Sequence, residues 1–330
     1  MQQDPLEQGS EPASSTMRDA RPHLQYLREP GLSALLAVKI ASTWGAYGPI
    51  GRGWVPRKLG RHFCTAMDCA VVTRSGALLA IAPENLDVYC AILAKGGTWE
   101  PRLIDICFAM LRPGDVFFDI GSNAGIFGVE LSKRLGGRIR VHSFEPQRAL
   151  AAAIRRSVEL NRFPEFTVHE LALGDADREC LFYMPAHCIH GSLVPRQETT
   201  LPAVSNCQMR TLDAVVASGC APRPDVVKID VEGAELRVFQ GARSTFAADP
   251  PVIIMEADEN MLRFGYSHAD LFRFLSGQAA GYCFYSADLR KPLQAGDVAG
   301  PLPFGNYVAI PLPKIERYLP ALLKLWQTPT

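Results

Sequence analysis

Asp119-Ile120-Gly121-Ser122-Asn123-Ala124-Gly125 follows the apolar run at 116–118 and precedes a helical pattern at 126–135. Glycines at a strand-to-helix turn supply positive φ and let a ligand approach the backbone closely. Working outward, short apolar runs rich in Val, Ile and Phe recur at 116–120, 139–144, 166–171, 226–229 and 252–255. Helical patterns at 126–135, 148–160, 234–239 and 268–275 separate most of them. Apolar strands alternating with helices predict a parallel sheet covered on both faces, and in such sheets ligands bind at the carboxyl ends of the strands. Late strands are predicted at 282–285 and 307–310, and a last helix at 314–326.

Upstream of Pro113-Gly114 the pattern differs. Residues 1–30 are rich in Gln, Ser, Pro and charge, a composition that buries too little apolar surface to offset ordering entropy, so a mobile tail is expected. Residues 31–112 read as an extension: an apolar stretch at 32–40, a Gly-rich loop at 45–60, and a hairpin whose runs at 69–73 and 77–81 flank Arg74-Ser75-Gly76. Two lead-in helices follow at 85–93 and 101–111. The main domain is expected over 113–330, with a long insertion at about 181–209 that holds His187, Cys188 and His190.

Composition narrows the function. The 330 residues carry 34 Lys+Arg against 34 Asp+Glu, so no net charge draws the chain to nucleic acid or an anionic membrane. The apolar stretch at 32–40, broken by Ser33 and Lys39, is far shorter than the roughly 20 residues of a membrane span. The nine cysteines show no C-x-x-C pair and read as reduced core residues of a cytoplasmic protein. With neither H-E-x-x-H nor paired C-x-x-C, no metal site is expected, although a Mg²⁺ held by one or two acids is compatible with the sequence. No G-x-S-x-G elbow supports a hydrolase, and no signal sets an oligomeric state.

Carboxylates mark the strand tips. Glu145 ends the second predicted strand, where an acid can accept hydrogen bonds from ribose hydroxyls. Asp230 ends the run 226–229, with Glu232 two residues on. A nicotinamide fingerprint needs G-x-G-x-x-G, but Asn123 replaces the middle glycine, and Asp119 would repel a pyrophosphate. S-adenosylmethionine carries a sulfonium, an ammonium and a ribose but no phosphate, so the acids suit it better.

Asp-Ile-Gly-Ser-Asn-Ala-Gly (119–125), Phe-Glu-Pro (144–146), Ala-Leu-Gly-Asp (172–175), Arg-Thr-Leu-Asp (210–213), Lys-Ile-Asp-Val-Glu-Gly-Ala-Glu (228–235) and Gln-Gly-Ala (240–242) stand in an order that resembles FkbM-type methyltransferases. Glu256 after the run 252–255 also fits that pattern. Ser122 departs mildly, standing where the family often has Ala. The resemblance covers roughly residues 70–290 and implies a class I methyltransferase, Rossmann-like fold: a doubly wound, mostly parallel seven-stranded sheet, here with an N-terminal helical and hairpin extension. It implies S-adenosylmethionine as cofactor and transfer of a methyl group to a hydroxyl oxygen of a small sugar-like or secondary-metabolite acceptor.

Carried over residue by residue, Asp119, Gly121, Ser122, Asn123 and Gly125 would form the turn at the methionine end of the cofactor, and Glu145 followed by Pro146 would hold the ribose. Ala172 and Leu173, read as the end of the third strand, would border the adenine. Asp230, Glu232 and His190 are the candidates for a base that removes the acceptor's proton, His190 for its near-neutral ordinary pKa. A nicotinamide-dependent oxidoreductase and a non-catalytic nucleoside-binding relative stand as alternatives.

Overall fold

The computed structural model describes residues 24–27, 69–184, 191–195, 203–294, 297 and 305–327. The chain enters as an antiparallel three-stranded sheet, β1 (Leu24–Tyr26), β2 (Cys69–Val72) and β3 (Leu78–Ala80). The hairpin expected around Arg74-Ser75-Gly76 is β2–β3, closed by Thr73 N–H on the Ala77 carbonyl. Within the stretch read as tail, Leu24–Tyr26 forms a strand instead: it pairs with β2, far along the chain (Leu24 opposite Val71, Tyr26 opposite Cys69), which local composition does not reveal. Helices α1 (Leu86–Ala94) and α2 (Pro101–Met110) lead to the main domain.

There β4 (Val116–Ile120), α3 (Ile126–Arg134), β5 (Arg140–Phe144), α4 (Arg148–Asn161) and β6 (Phe166–His169) step outward across a parallel sheet. The chain then leaves that sheet. β7 (Ala172–Leu173) pairs with β9 (Ala203–Arg210), which pairs with β8 (Arg178–Met184) in a separate three-stranded sheet. Two expectations change here: Ala172 and Leu173 belong to this small sheet rather than to the end of the third strand, and both ends of the insertion expected at 181–209 are strands of one hairpin.

After α5 (Leu212–Ala217) the chain returns to the other side of β4 as β10 (Val226–Ile229), then α6 (Glu235–Gln240), α7 (Arg243–Ala248), β11 (Val252–Ala257) and α8 (His268–Ser276). β12 (Tyr282–Ser286), β13 (Lys291–Pro292), β14 (Gly305–Pro311) and α9 (Ile315–Gln327) finish the domain. The sheet order is β13-β12-β14-β11-β10-β4-β5-β6, with β14 antiparallel to both of its neighbours. The expected seven strands are present, and the two-residue β13 adds an eighth at the edge.

Every residue of β4 and β10 is buried, as central strands covered on both faces require. One core gathers α2, α3, α9 and the β2–β3 hairpin against one face, and a second gathers α5 to α8 against the other. Because the chain runs outward from β4 to β6 and returns at β10, the strand order reverses between β4 and β10. A crevice opens at the carboxyl ends of those two strands, which is where a doubly wound sheet holds its ligand.

Candidate active site

The turn after β4 is shaped by the tip of β10. Gly121 has φ 76°, and a Cβ built on it would stand 1.9 Å from the Asp230 carbonyl oxygen. The Gly121 and Ser122 N–H groups donate to the Phe144 carbonyl at 3.0 and 3.2 Å, and Ser122 Oγ donates to the Asp119 carbonyl at 2.7 Å. Asn123 takes a left-handed φ of 51°, and its Oδ1 accepts a hydrogen bond from Asn85 at the start of α1. The lead-in segment thereby braces the turn.

Glu145, 3% exposed, faces this turn from the end of β5. Its Oε2 accepts from the Asn123 N–H at 2.9 Å and its Oε1 from the Gln147 N–H at 2.9 Å. Burial pushes its pKa up to about 7, even though these two N–H groups favour the anion. Each oxygen keeps acceptor capacity for a further donor.

These residues line one cleft. Its wall includes Gly121, Ser122, Asn123, Glu145, Pro146, Ala172, Leu173, Asp230 and Glu232, so nine positions singled out from sequence converge on one space. Two do not reach it. Gly125 packs against α4, where a Cβ would meet Ile154 Cγ1 at 2.8 Å. Asp119 is fully buried below the cleft, where burial disfavours its charge and Lys228 and the Gly128 backbone N–H at the start of α3 favour it. His190 lies outside the described residues, as do His187 and Cys188.

Sequence reasoning passed over Lys228. It is 5% exposed, stands opposite Asp119 in the β10–β4 register, and lines the cleft. Its Nζ lies 3.3 Å from Asp230 Oδ2, 4.0 Å from Asp119 Oδ1 and 4.9 Å from the Phe127 ring centroid. Burial opposes its charge, yet Asp230, Asp119 and Glu100 outweigh burial and raise its pKa. Asp119 responds to burial first, which raises its pKa, with Lys228 opposing. The signal was available: a lysine inside the buried run Val-Val-Lys-Ile demands a buried partner. Trp99 also lines the cleft, with Lys95 Nζ 3.9 Å over its ring.

Acids crowd the end beyond Lys228. Glu232 has φ 56° and accepts a hydrogen bond from Asn260 Nδ2 at 3.0 Å. Burial, then the charges of Asp230, Glu100, Asp258 and Glu232, push Glu256 up to about 8. Glu235 Oε1 accepts from the Val231 and Gly233 N–H groups, and burial pushes that carboxyl up to about 8. Among the described residues no group of three or more His, Cys, Asp or Glu has the arrangement of a metal site. No helix among them is long and apolar enough to cross a membrane.

The methyltransferase FkbM domain profile matches residues 119–284, half of the chain, and the chain belongs to that family. The matched segment is thus a methyltransferase domain, whose family cofactor is S-adenosylmethionine, and it lies on a doubly wound sheet of the class I kind. The AMB antimetabolite synthetase AmbE of Pseudomonas aeruginosa is 28% identical over 188 residues, which are 46% of this chain and 9% of that protein, so the chain matches under a tenth of that relative's length. Among solved structures, methyltransferase FkbM from Methylobacillus flagellatus KT is 17% identical with a TM-score of 0.40, covering 81% of this chain and 60% of that one. The O-methyltransferase from Bacillus cereus is 13% identical with a TM-score of 0.37, covering 68% and 87%. The family assignment replaces the oxidoreductase alternative.

The cleft suits that cofactor by the chemistry of its groups: Glu145 offers acceptors to a diol, Leu173 and Phe182 offer apolar surface to a flat ring, and Asp230 and Glu232 offer carboxylates to a cation. Gly121 holds its place by backbone contact rather than by φ alone, and a comparison isolates that term. Gly114 also has positive φ, 93°, but open space around it. Gly121→Ala is expected to cost roughly 2 kcal/mol more than Gly114→Ala in chemical denaturation, because only the first drives a methyl into backbone. Equal losses would show that the β4–β10 approach does not constrain the turn.

Proposed function

We propose that this chain transfers a methyl group from S-adenosylmethionine to a hydroxyl oxygen of a small acceptor, sugar-like or a secondary metabolite, with Asp230 as the base. The observation that carries the reading is the position of Asp230 on the cleft wall, with its side chain 28% exposed and its carboxylate held by Lys228. When bound, the cofactor supplies an electrophilic methyl on a sulfonium. The chain's own residues orient and deprotonate. Glu145 takes the ribose hydroxyls, the apolar wall at Leu173 and Phe182 takes the adenine, and the glycine turn passes beside the methionine end.

Alignment of acceptor and methyl supplies much of the acceleration in such a displacement, and a positioned base adds roughly 10² to 10⁴-fold. Asp230 accepts the hydroxyl proton, and the Lys228 ammonium beside it stabilises the negative charge that grows on the acceptor oxygen. Glu232 is turned toward Asn260, which favours Asp230 over it as base. The relative AmbE is by name an antimetabolite synthetase, which agrees with a secondary-metabolite acceptor.

Glu145 gives this reading a pH signature. Ribose hydroxyls donate to the carboxylate, so binding selects the ionised form, and a carboxyl with pKa about 7 is protonated progressively below that pH. The Kd of S-adenosylhomocysteine, read by calorimetry, is expected to rise about tenfold from pH 8 to pH 6. In Glu145→Gln binding is weaker and this slope is lost, although Glu235 and Glu256 still titrate; an unchanged slope in the variant contradicts the ribose role. For the transfer itself, a labelled-methyl assay over glycosides and polyketides is expected to place the label on oxygen. Asp230→Asn is expected to keep S-adenosylhomocysteine affinity within about threefold and lose 10²-fold or more in turnover. Label on nitrogen or carbon, or full turnover in Asp230→Asn, contradicts the proposal.

A further inference from the structure

We infer that Cys180 and Cys207 are a redox pair, closed to a disulfide by a small-molecule disulfide such as oxidised glutathione, and that the bond clasps the hairpin wall of the cofactor cleft. The two residues stand directly opposite each other in the antiparallel β8–β9 register, with their Sγ atoms 3.2 Å apart. Tyr183 exchanges both its backbone hydrogen bonds with Ser192, so the alternating residue Cys180 turns its own N–H and C=O toward Cys207. Residues paired in that way have Cα atoms about 5.5 Å apart, inside the range of about 4.4–6.8 Å that disulfides span. The sulfurs need approach by only about 1 Å to reach bonding distance.

Exposure sets the order of events. Cys180 is half-buried, whereas Cys207 is 7% exposed. Burial first, then the neighbouring Cys180, pushes the Cys207 thiol up to about 12. Cys180 therefore meets the oxidant. Its thiolate attacks one sulfur of oxidised glutathione, forming a mixed disulfide and releasing one glutathione thiolate. The Cys207 thiolate then attacks Cys180 Sγ, forming the intrachain S–S bond and expelling the second glutathione. The two cysteine protons pass to the two departing thiolates, so two cysteines are oxidised and one glutathione disulfide is reduced.

The bond would act on the cleft through its position. Phe182, two residues from Cys180, lines the cleft, and so do Gly191 and Leu193, which belong to the segment between the two cysteines. On the other side β9 carries β7, whose Ala172 and Leu173 also line it. A link from β8 to β9 joins these wall pieces covalently and restricts the opening that releases a bound nucleoside. This second step rests on the methyltransferase reading; formation of the bond does not.

The test uses the full chain. Incubation with oxidised glutathione is expected to leave two fewer titratable thiols than the nine of the reduced chain, with a non-reducing peptide map joining Cys180 to Cys207 and dithiothreitol restoring all nine. Cys180→Ser and Cys207→Ser are each expected to show no such joined peptide. S-adenosylhomocysteine release, followed by stopped flow, is expected to slow on the order of threefold in the oxidised wild type and to be unaffected by oxidant in either variant. An unchanged thiol count, or a map that joins other cysteines, overturns the pair. Slowed release in the serine variants, or no slowing in the oxidised wild type, overturns the clasp. Failure of the reduced chain to bind S-adenosylhomocysteine would count against the cofactor assignment and leave the thiol result readable.

Discussion

A buried ammonium at the centre of a parallel sheet imposes the strongest constraint in this molecule. Lys228 is nearly enclosed, and an unpaired charge in such a place costs several kcal/mol. Asp119 across the ladder and Asp230 just past the end of β10, with a smaller share from Glu100, supply the compensation, so Lys228 and the two aspartates form one electrostatic unit. Its upper member, Asp230, is exposed to the cleft, and its lower member is wholly enclosed. The floor of the cleft is therefore fixed from below, and the Asp230 carboxylate keeps its orientation without help from a ligand.

The other determinants build on that floor. Where β4 and β10 lie side by side, the Gly121 backbone passes so near the Asp230 carbonyl that no side chain fits. That contact ties the glycine turn to the acid tip. On one side Glu145, capped by two backbone N–H groups, and the apolar residues of the small sheet form a surface suited to a nucleoside. On the other, Asp230 and Glu232 line the cleft and Glu256 stands behind them, electrostatically linked to both. The lead-in segment completes the enclosure through Val88 and Trp99 and reaches the turn through Asn85, although it precedes the matched family domain.

The alternation of strands and helices, the glycine turn and the acids at the strand tips were legible because each depends on local chemistry: period, positive φ, and a carboxylate just past an apolar run. The small sheet was not. Ala172 and Leu173 follow β6 so closely that nothing local distinguishes continuation from departure, and the choice is made by pairing with Met209 and Arg210, far along the chain. Leu24–Tyr26 was hidden for the same reason. Asp119 was read as a cofactor contact because its motif position was visible, but not the lysine on the neighbouring strand that stands opposite it. That lysine could have been found by taking the two runs Val-Phe-Phe-Asp-Ile and Val-Val-Lys-Ile together, since both put one charge into an otherwise apolar central strand.

The coupling of Asp119 to Lys228 is the quantity on which the account turns, and a double-mutant cycle measures it. Asp119→Asn, Lys228→Met and the double variant would be unfolded with denaturant at pH 7. The account predicts that the double variant loses at least about 2 kcal/mol less than the sum of the two single losses, because Lys228→Met strands the buried Asp119 carboxylate and Asp119→Asn removes that stranded charge. Additivity within about 0.5 kcal/mol would contradict it and show that the two groups do not depend on each other.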